Sequence, residues 1–186
     1  HPSDYQKLIG IIKDQNKSNY LYPSRKISSL YFDNENNDMF VDGEEGTLPR
    51  KKIRLRFYPD QDKDKFFIEK KINSYEGKFK KSRPITKNDF IKFYKKGIFD
   101  KTYNICKPKF WVTYRREYFS FLNVRFTIDK NIKFSRLNKK SEFKVQNKLI
   151  LEIKSKNINL DIFNGEFPFM RSRYSKYAEG HKVIFK

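Results

Sequence analysis

The stretch "KKIRLRFY", Lys51 to Tyr58, does most to limit what this chain can fold into. Ile53, Leu55 and Phe57 alternate with Lys52, Arg54, Arg56 and Tyr58. A repeat of two puts one set on each face of a β-strand. One face is apolar and the other is a row of cations. The same habit recurs. Glu69 and Lys71 share a face with Phe67, and Lys81 shares one with Arg83. Tyr114, Arg116 and Tyr118 lie on one face, with Thr113, Arg115 and Glu117 on the other. Arg125, Thr127 and Asp129 oppose Val124, Phe126 and Ile128, while Glu152 and Lys154 oppose Leu151 and Ile153.

Between these strands the helix signals are few. Ser3 with Gln6 fits a capping box ahead of an apolar face of Tyr5, Leu8, Ile11 and Ile12. "NDMFVDGEEG" reads as a short helix or loop. "TKNDFIKFYKKG" has a start at Thr86 with Asp89 and a stop at Gly97. "FPFMRSRYSKYAEG" reads as helical at its core, ending near Gly180. About seven or eight strands, joined without long crossovers, predict antiparallel pairing in an α+β fold. The 186 residues suit a single domain over 1–186. With 19 Phe and 12 Tyr the chain can build an aromatic core, which a disordered sequence could not.

The formal net charge is +20. Such an excess attracts polyanions, but where the charge sits matters more than its sum. For one strand alone, a solvated sheet face explains the pattern. Across the set, the polar face is rich in Arg, which forks onto phosphate oxygens, and its mid-strand acids reduce to Glu69 and Glu152. A face made for solubility mixes signs. If the sheet closes into a barrel with this face inward, the lumen holds cations that a polyanion must compensate. A divalent metal between a carboxylate and phosphate then accounts for the mid-strand acids.

Other chemistries lack their motifs: there is no G-x-x-x-x-G-K loop, G-x-G-x-x-G, H-E-x-x-H or cysteine cluster. Cys106 is the single cysteine, expected as a small buried side chain in a reducing compartment. His1 and His181 are too isolated to serve as ligands or bases. Trp111 and "YFSFLNVRF" are expected to pack against helices rather than to stack on RNA. Lys51, Lys52, Lys139 and Lys140 read as plain solvated charges.

"SLYFDN", "KIRLRFY", "FIEKK", "KKSR", "YRREYF", "VRFTID", "LILEIKS" and "SRYSKYAEG", in this order, resemble the polyphosphate polymerase (VTC) domain of the vacuolar transporter chaperone family, of the triphosphate tunnel (CYTH-like) superfamily. The resemblance implies an antiparallel β-barrel with a few flanking helices, whose tunnel binds nucleoside triphosphate and polyphosphate with Mn2+ or Mg2+. It implies transfer of the γ-phosphoryl of ATP onto a growing polyphosphate. By motif, the catalytic cations fall on Arg54, Arg56, Arg116 and Lys176. The substrate-binding residues fall on Lys71, Lys81, Arg125 and Ser175, and the metal-binding carboxylate on Glu152. Glu69 and Lys154 are further wall candidates. A family strand that precedes the "HP" segment and brings a tunnel Lys is expected to be missing, since the chain begins at His1.

Two alternatives stand beside the polymerase: a tripolyphosphatase or RNA 5′-triphosphatase type of hydrolase, and a non-catalytic module that binds polyphosphate or inositol phosphates. No specific nucleic acid is expected as a partner. The expected location is cytoplasmic, at the cytoplasmic face of a membrane if a membrane partner lies outside this chain.

Overall fold

The computed structural model describes residues 5–7, 9–10, 18–121, 124–138, 142–144, 148–154 and 172–185. The Ser3 cap, the apolar positions Leu8, Ile11 and Ile12, the Leu122–Asn123 link, Lys139, Lys140 and the "FPFMR" segment lie outside them. Residues 5–7 and 9–10 are helical, as the first apolar face predicts.

The described residues form nine strands: β1 (Ser18–Asp33), β2 (Arg50–Tyr58), β3 (Asp62–Ser74), β4 (Gly77–Ile85), β5 (Ile98–Asp100), β6 (Asn104–Phe121), β7 (Val124–Ser135), β8 (Glu142–Lys144) and β9 (Ile150–Lys154). The helices are α1 (Asp38–Glu45), α2 (Lys87–Lys96) and α3 (Lys176–Phe185). Strand order is β4-β3-β2-β1-β6-β7-β8, with β5 on β6 and β9 on β7. The pairings β1/β2, β2/β3, β3/β4, β5/β6 and β7/β9 are antiparallel. The α+β antiparallel fold read from the alternation is therefore the one observed. Among the described residues no helix is long and apolar enough to cross a membrane.

The chain forms two compact units. One comprises Lys26–Thr113, Lys133–Phe143 and Ser175–Lys186; the other comprises His1–Arg25, Tyr114–Ile132 and Lys144–Tyr174.

In the first unit, the apolar side of β1–β4 aligns Phe32, Ile53 and Lys70 in one rung and Leu30, Leu55 and Ile68 in the next. Helix α2 supports this side. Thr86 and Asp89 form the predicted reciprocal cap, and Gly97 closes the helix with its N–H on the Phe93 carbonyl. Phe90 of α2 packs on Phe57, Phe66 and Trp111, so Trp111 is core, as expected. Cys106 is fully buried, and burial pushes its thiol up to about 12.

Asp33 ends β1 and organises the turn into α1. Its buried carboxylate accepts the backbone N–H groups of Asn34, Met39 and Phe40, which fixes the start of α1. It also accepts the Tyr177 hydroxyl of α3.

The end of α3 departs from the sequence reading. Gly180 lies inside the helix, not at its stop. A Cβ there would fall 2.3 Å from Cε2 of Phe110 and 2.8 Å from Cδ1 of Phe134. The glycine serves close packing of the helix on β6 and β7.

Candidate functional site

The cationic side of the first unit is built in rungs, because residues paired across antiparallel strands share a face. Tyr31, Arg54, Glu69 and Ser82 form one rung across β1, β2, β3 and β4. Ser29, Arg56, Phe67 and Pro84 form the next on one side. Lys52, Lys71 and Lys80 stand abreast on the other. Five cations thus share three rungs with one acid, Glu69.

Glu69 is the hub. Arg54 donates from Nε to its Oε2 at 2.7 Å, with Nη2 at 2.6 Å, and Arg56 Nη1 stands 3.6 Å away. Lys80 Nζ reaches Oε1 at 2.7 Å. Burial alone would raise this carboxyl. The surrounding Arg54, Arg56 and Lys80 bring it down to about 2.

Arg54 also donates to the Tyr31 hydroxyl at 3.0 Å, and Arg56 to Ser29 Oγ at 3.3 Å. Tyr31 registers how strong the positive field is. Burial would raise its phenol, yet Arg54, Arg56 and Lys71 bring it down to about 8. The ring is held by stacking on Phe110 and Tyr177.

Two predicted residues sit at the start of α3. Ser175 caps the helix: its Oγ accepts the Ala178 N–H at 3.2 Å. It also accepts from Lys52 Nζ at 2.8 Å. Lys176 is the first residue of the helix and is half-buried.

Three sequence readings change. Lys81 pairs with Lys70, which pairs with Ile53, so it lies on the apolar side, away from Arg54 and Arg56. Lys80 takes the place expected of it. Lys52 is not a plain solvated charge, since it belongs to the cationic rungs and bonds Ser175. Lys51 is not one either. It shares Asp100 with Lys70 on the apolar side, each ammonium 2.8 Å from the carboxylate. Those two ammoniums hold Asp100 at about 2 against the opposing effect of burial.

The second unit carries its own charged cluster, at Arg116, Asp129 and Glu152. Arg116 makes a fork on Asp129, with Nε to Oδ1 at 2.5 Å and Nη2 to Oδ2 at 2.7 Å. Burial lowers the guanidinium's affinity for its proton, but the Asp129 bond outweighs that and raises it. Glu152 pairs with Thr127 across β9 and β7, and Lys154 pairs with Arg125. Arg125 is exposed and lies over the Tyr118 ring, 5.4 Å from its centroid. Alternation places Asp129 on this face, but its fork with Arg116 depends on cross-strand register that one strand's sequence does not contain.

Among the described residues no three His, Cys, Asp or Glu side chains form a metal cage. An ion of the Mg2+ or Mn2+ kind needs only one or two carboxylates when phosphate oxygens and water complete its shell. Glu152 fits that role. It is 40% exposed, with Arg116 Nη2 and Lys154 Nζ each 3.5 Å from its carboxylate. Asp129 fits less well, because Arg116 engages both its oxygens.

The structure is similar to that of a candidate adenylate cyclase from Bacillus halodurans, with a TM-score of 0.63 at 10% identity, covering 100% of this chain and 93% of that one. It is also similar to a candidate adenylyl cyclase from Hippeastrum with a dominant triphosphatase activity, with a TM-score of 0.58 at 13% identity, covering 98% of this chain and 91% of that one. At these identities the likeness shows the fold. The family model of the VTC domain matches residues 1–185, and the chain belongs to that family. No curated protein matches the sequence.

Proposed function

We propose that this chain is a metal-dependent phosphoryl transferase that binds nucleoside triphosphate and polyphosphate and extends polyphosphate from ATP. The observation that carries the reading is the imbalance on β2, β3 and β4. Lys52, Arg54, Arg56, Lys71 and Lys80 share a face with Glu69 as the one acid of those rungs. Like charges directly opposite each other are unfavourable. A phosphate chain, with several charges in a line, would complement this face.

Phosphoryl transfer asks a protein mainly for positioning and charge stabilisation. Arg54 and Arg56, two residues apart on one face, would grip non-bridging oxygens of neighbouring phosphates. Lys71 and Lys80 add point charges. Ser175 and Lys176, at the N-terminus of α3, would hold the phosphate tail or the acceptor end. The family resemblance assigns Arg116 and Arg125 to phosphate oxygens and Glu152 to the metal ion. That ion, when bound, would supply positive charge that offsets the charge of the phosphates. The terminal oxygen of polyphosphate is itself a nucleophile. It would bond to the γ-phosphorus while the bond to the β,γ-bridging oxygen breaks and ADP leaves. ATP as donor and the lone buried thiol support a cytoplasmic location.

A hydrolase is the second reading, favoured by the triphosphatase activity of the Hippeastrum protein. Incubation with ATP and Mn2+, followed by assays for polymer and for released phosphate, tests both. Polyphosphate chains are the result expected. Released phosphate without polymer would replace the polymerase with the hydrolase. Neither product, with tripolyphosphate still bound, would leave a binding module.

A further inference from the structure

The hydroxyl of Ser175 is unusually constrained. A serine oxygen has two lone pairs and one proton. One lone pair takes the Ala178 N–H at 3.2 Å, which is the ordinary N-cap bond of α3. The other takes the Lys52 ammonium at 2.8 Å, from 123 residues earlier in the chain. Capping accounts for the first bond and not for the second. With both acceptor positions used, what the hydroxyl can still offer is its own O–H as a donor. A group that only donates, beside an ammonium and the positive end of a helix, suits an anionic oxygen.

Lys52 itself comes from β2, two residues before Arg54, and it pairs across the strands with Lys71. It therefore links the cationic rungs to the start of α3. We propose that Lys52 is a positioning residue of the phosphate site, which fixes Ser175 as a hydrogen-bond donor to a phosphate oxygen. The inference rests on the polyphosphate reading above and assigns work to a residue that the sequence motifs pass over.

The test is a double-mutant cycle on the whole chain with tripolyphosphate as the probe. Lys52→Gln, Ser175→Ala and the double variant are titrated calorimetrically, and each is also melted without ligand. Loss of a charge-assisted bond weakens binding on the order of tenfold. Each single variant is expected to weaken tripolyphosphate by about that factor. The double variant is expected to bind no worse than the weaker single one, because the two side chains act as a unit. Lys52→Arg keeps a donor at this place and is expected to recover most of the affinity.

A lower melting temperature for Lys52→Gln with unchanged affinity would make Lys52 a brace for α3 and overturn the proposal. Fully additive losses would also overturn it, since Lys52 would then act by charge alone. These outcomes presuppose a wild type that binds tripolyphosphate. A wild type that does not would overturn the polyphosphate reading and this proposal together.

Discussion

Two charged clusters are built from the same kinds of residue and balanced differently. On β7, β9 and the neighbouring part of β6, Arg116, Arg125 and Lys154 meet Asp129 and Glu152, which is three cations to two acids. In three rungs of β2, β3 and β4, five cations share a face with one acid, Glu69. A buried ion pair that is nearly closed on itself is structural first, because removing one partner strands the other. A face with five cations and one acid in three rungs carries a strong positive field. The Tyr31 phenol, brought down to about 8, shows that field beside the β2–β4 cluster. The difference separates a cluster in which cations and acids nearly match from a face whose described rungs are mostly cationic.

The sharpest contrast is predicted at Arg116. Asp129 is fully buried and held by the guanidinium fork, so Arg116→Ala should cost about 3–5 kcal/mol of stability. Denaturant unfolding measures it. A loss below about 1 kcal/mol would mean that the Arg116 cluster is as open as the other.

Glu69→Gln should act with opposite signs on stability and binding. Without its one acid, the cationic face repels itself and the chain melts lower. Tripolyphosphate should then bind tighter, on the order of tenfold, and restore the melt at saturation. Asp129→Asn should lower stability without that gain. Equal behaviour of the two variants in paired melts and titrations would erase the distinction between the clusters.

Acid should reveal the same carboxylate. The folded Glu69 titrates at about 2 against an ordinary value of 4.5. Its pKa is depressed, so its contribution to stability is complete above about 4.5 and is lost as pH falls toward 2. The acid limb of a pH–stability profile should be shallower in Glu69→Gln than in the wild type.

The smallest effect is expected at Tyr31. A bound polyanion screens the cations that hold its phenol at about 8, so tripolyphosphate should move that titration upward toward 10. By linkage, binding should weaken as pH rises past about 8, because tyrosinate adds a negative charge to the site. Ultraviolet titration with and without ligand, with Tyr31→Phe as the blank, measures this. An unmoved titration would place the ligand away from the β1–β4 rungs.

Much of this contrast could be read from alternation. Arg54 and Arg56 stand two apart in a clean run, so their shared face comes from strand geometry alone. The Arg116 face and the Glu152 face were legible in the same way. Lys81 was not, because "KFKKSRP" contains two adjacent lysines and alternation cannot say which faces inward. The two-residue turn Tyr75–Glu76 sets the register and selects Lys80. Alternation gives no sign of the bond from Lys52 to Ser175, which lies 123 residues away. The fork between Arg116 and Asp129 was hidden for the same kind of reason. Gly180 read as a helix stop because a glycine in sequence does not show the rings of Phe110 and Phe134 that exclude a side chain. Local periodicity reveals faces, and only the fold reveals partners.

The central claim is that the β2–β4 face holds a phosphate chain. Calorimetric titration of tripolyphosphate into the wild type and into Arg54→Ala, at moderate salt, tests it most directly. The account predicts saturable binding by the wild type and a loss of at least about a hundredfold in Arg54→Ala, as for a charge-assisted bidentate grip. Wild-type affinity in Arg54→Ala would contradict it.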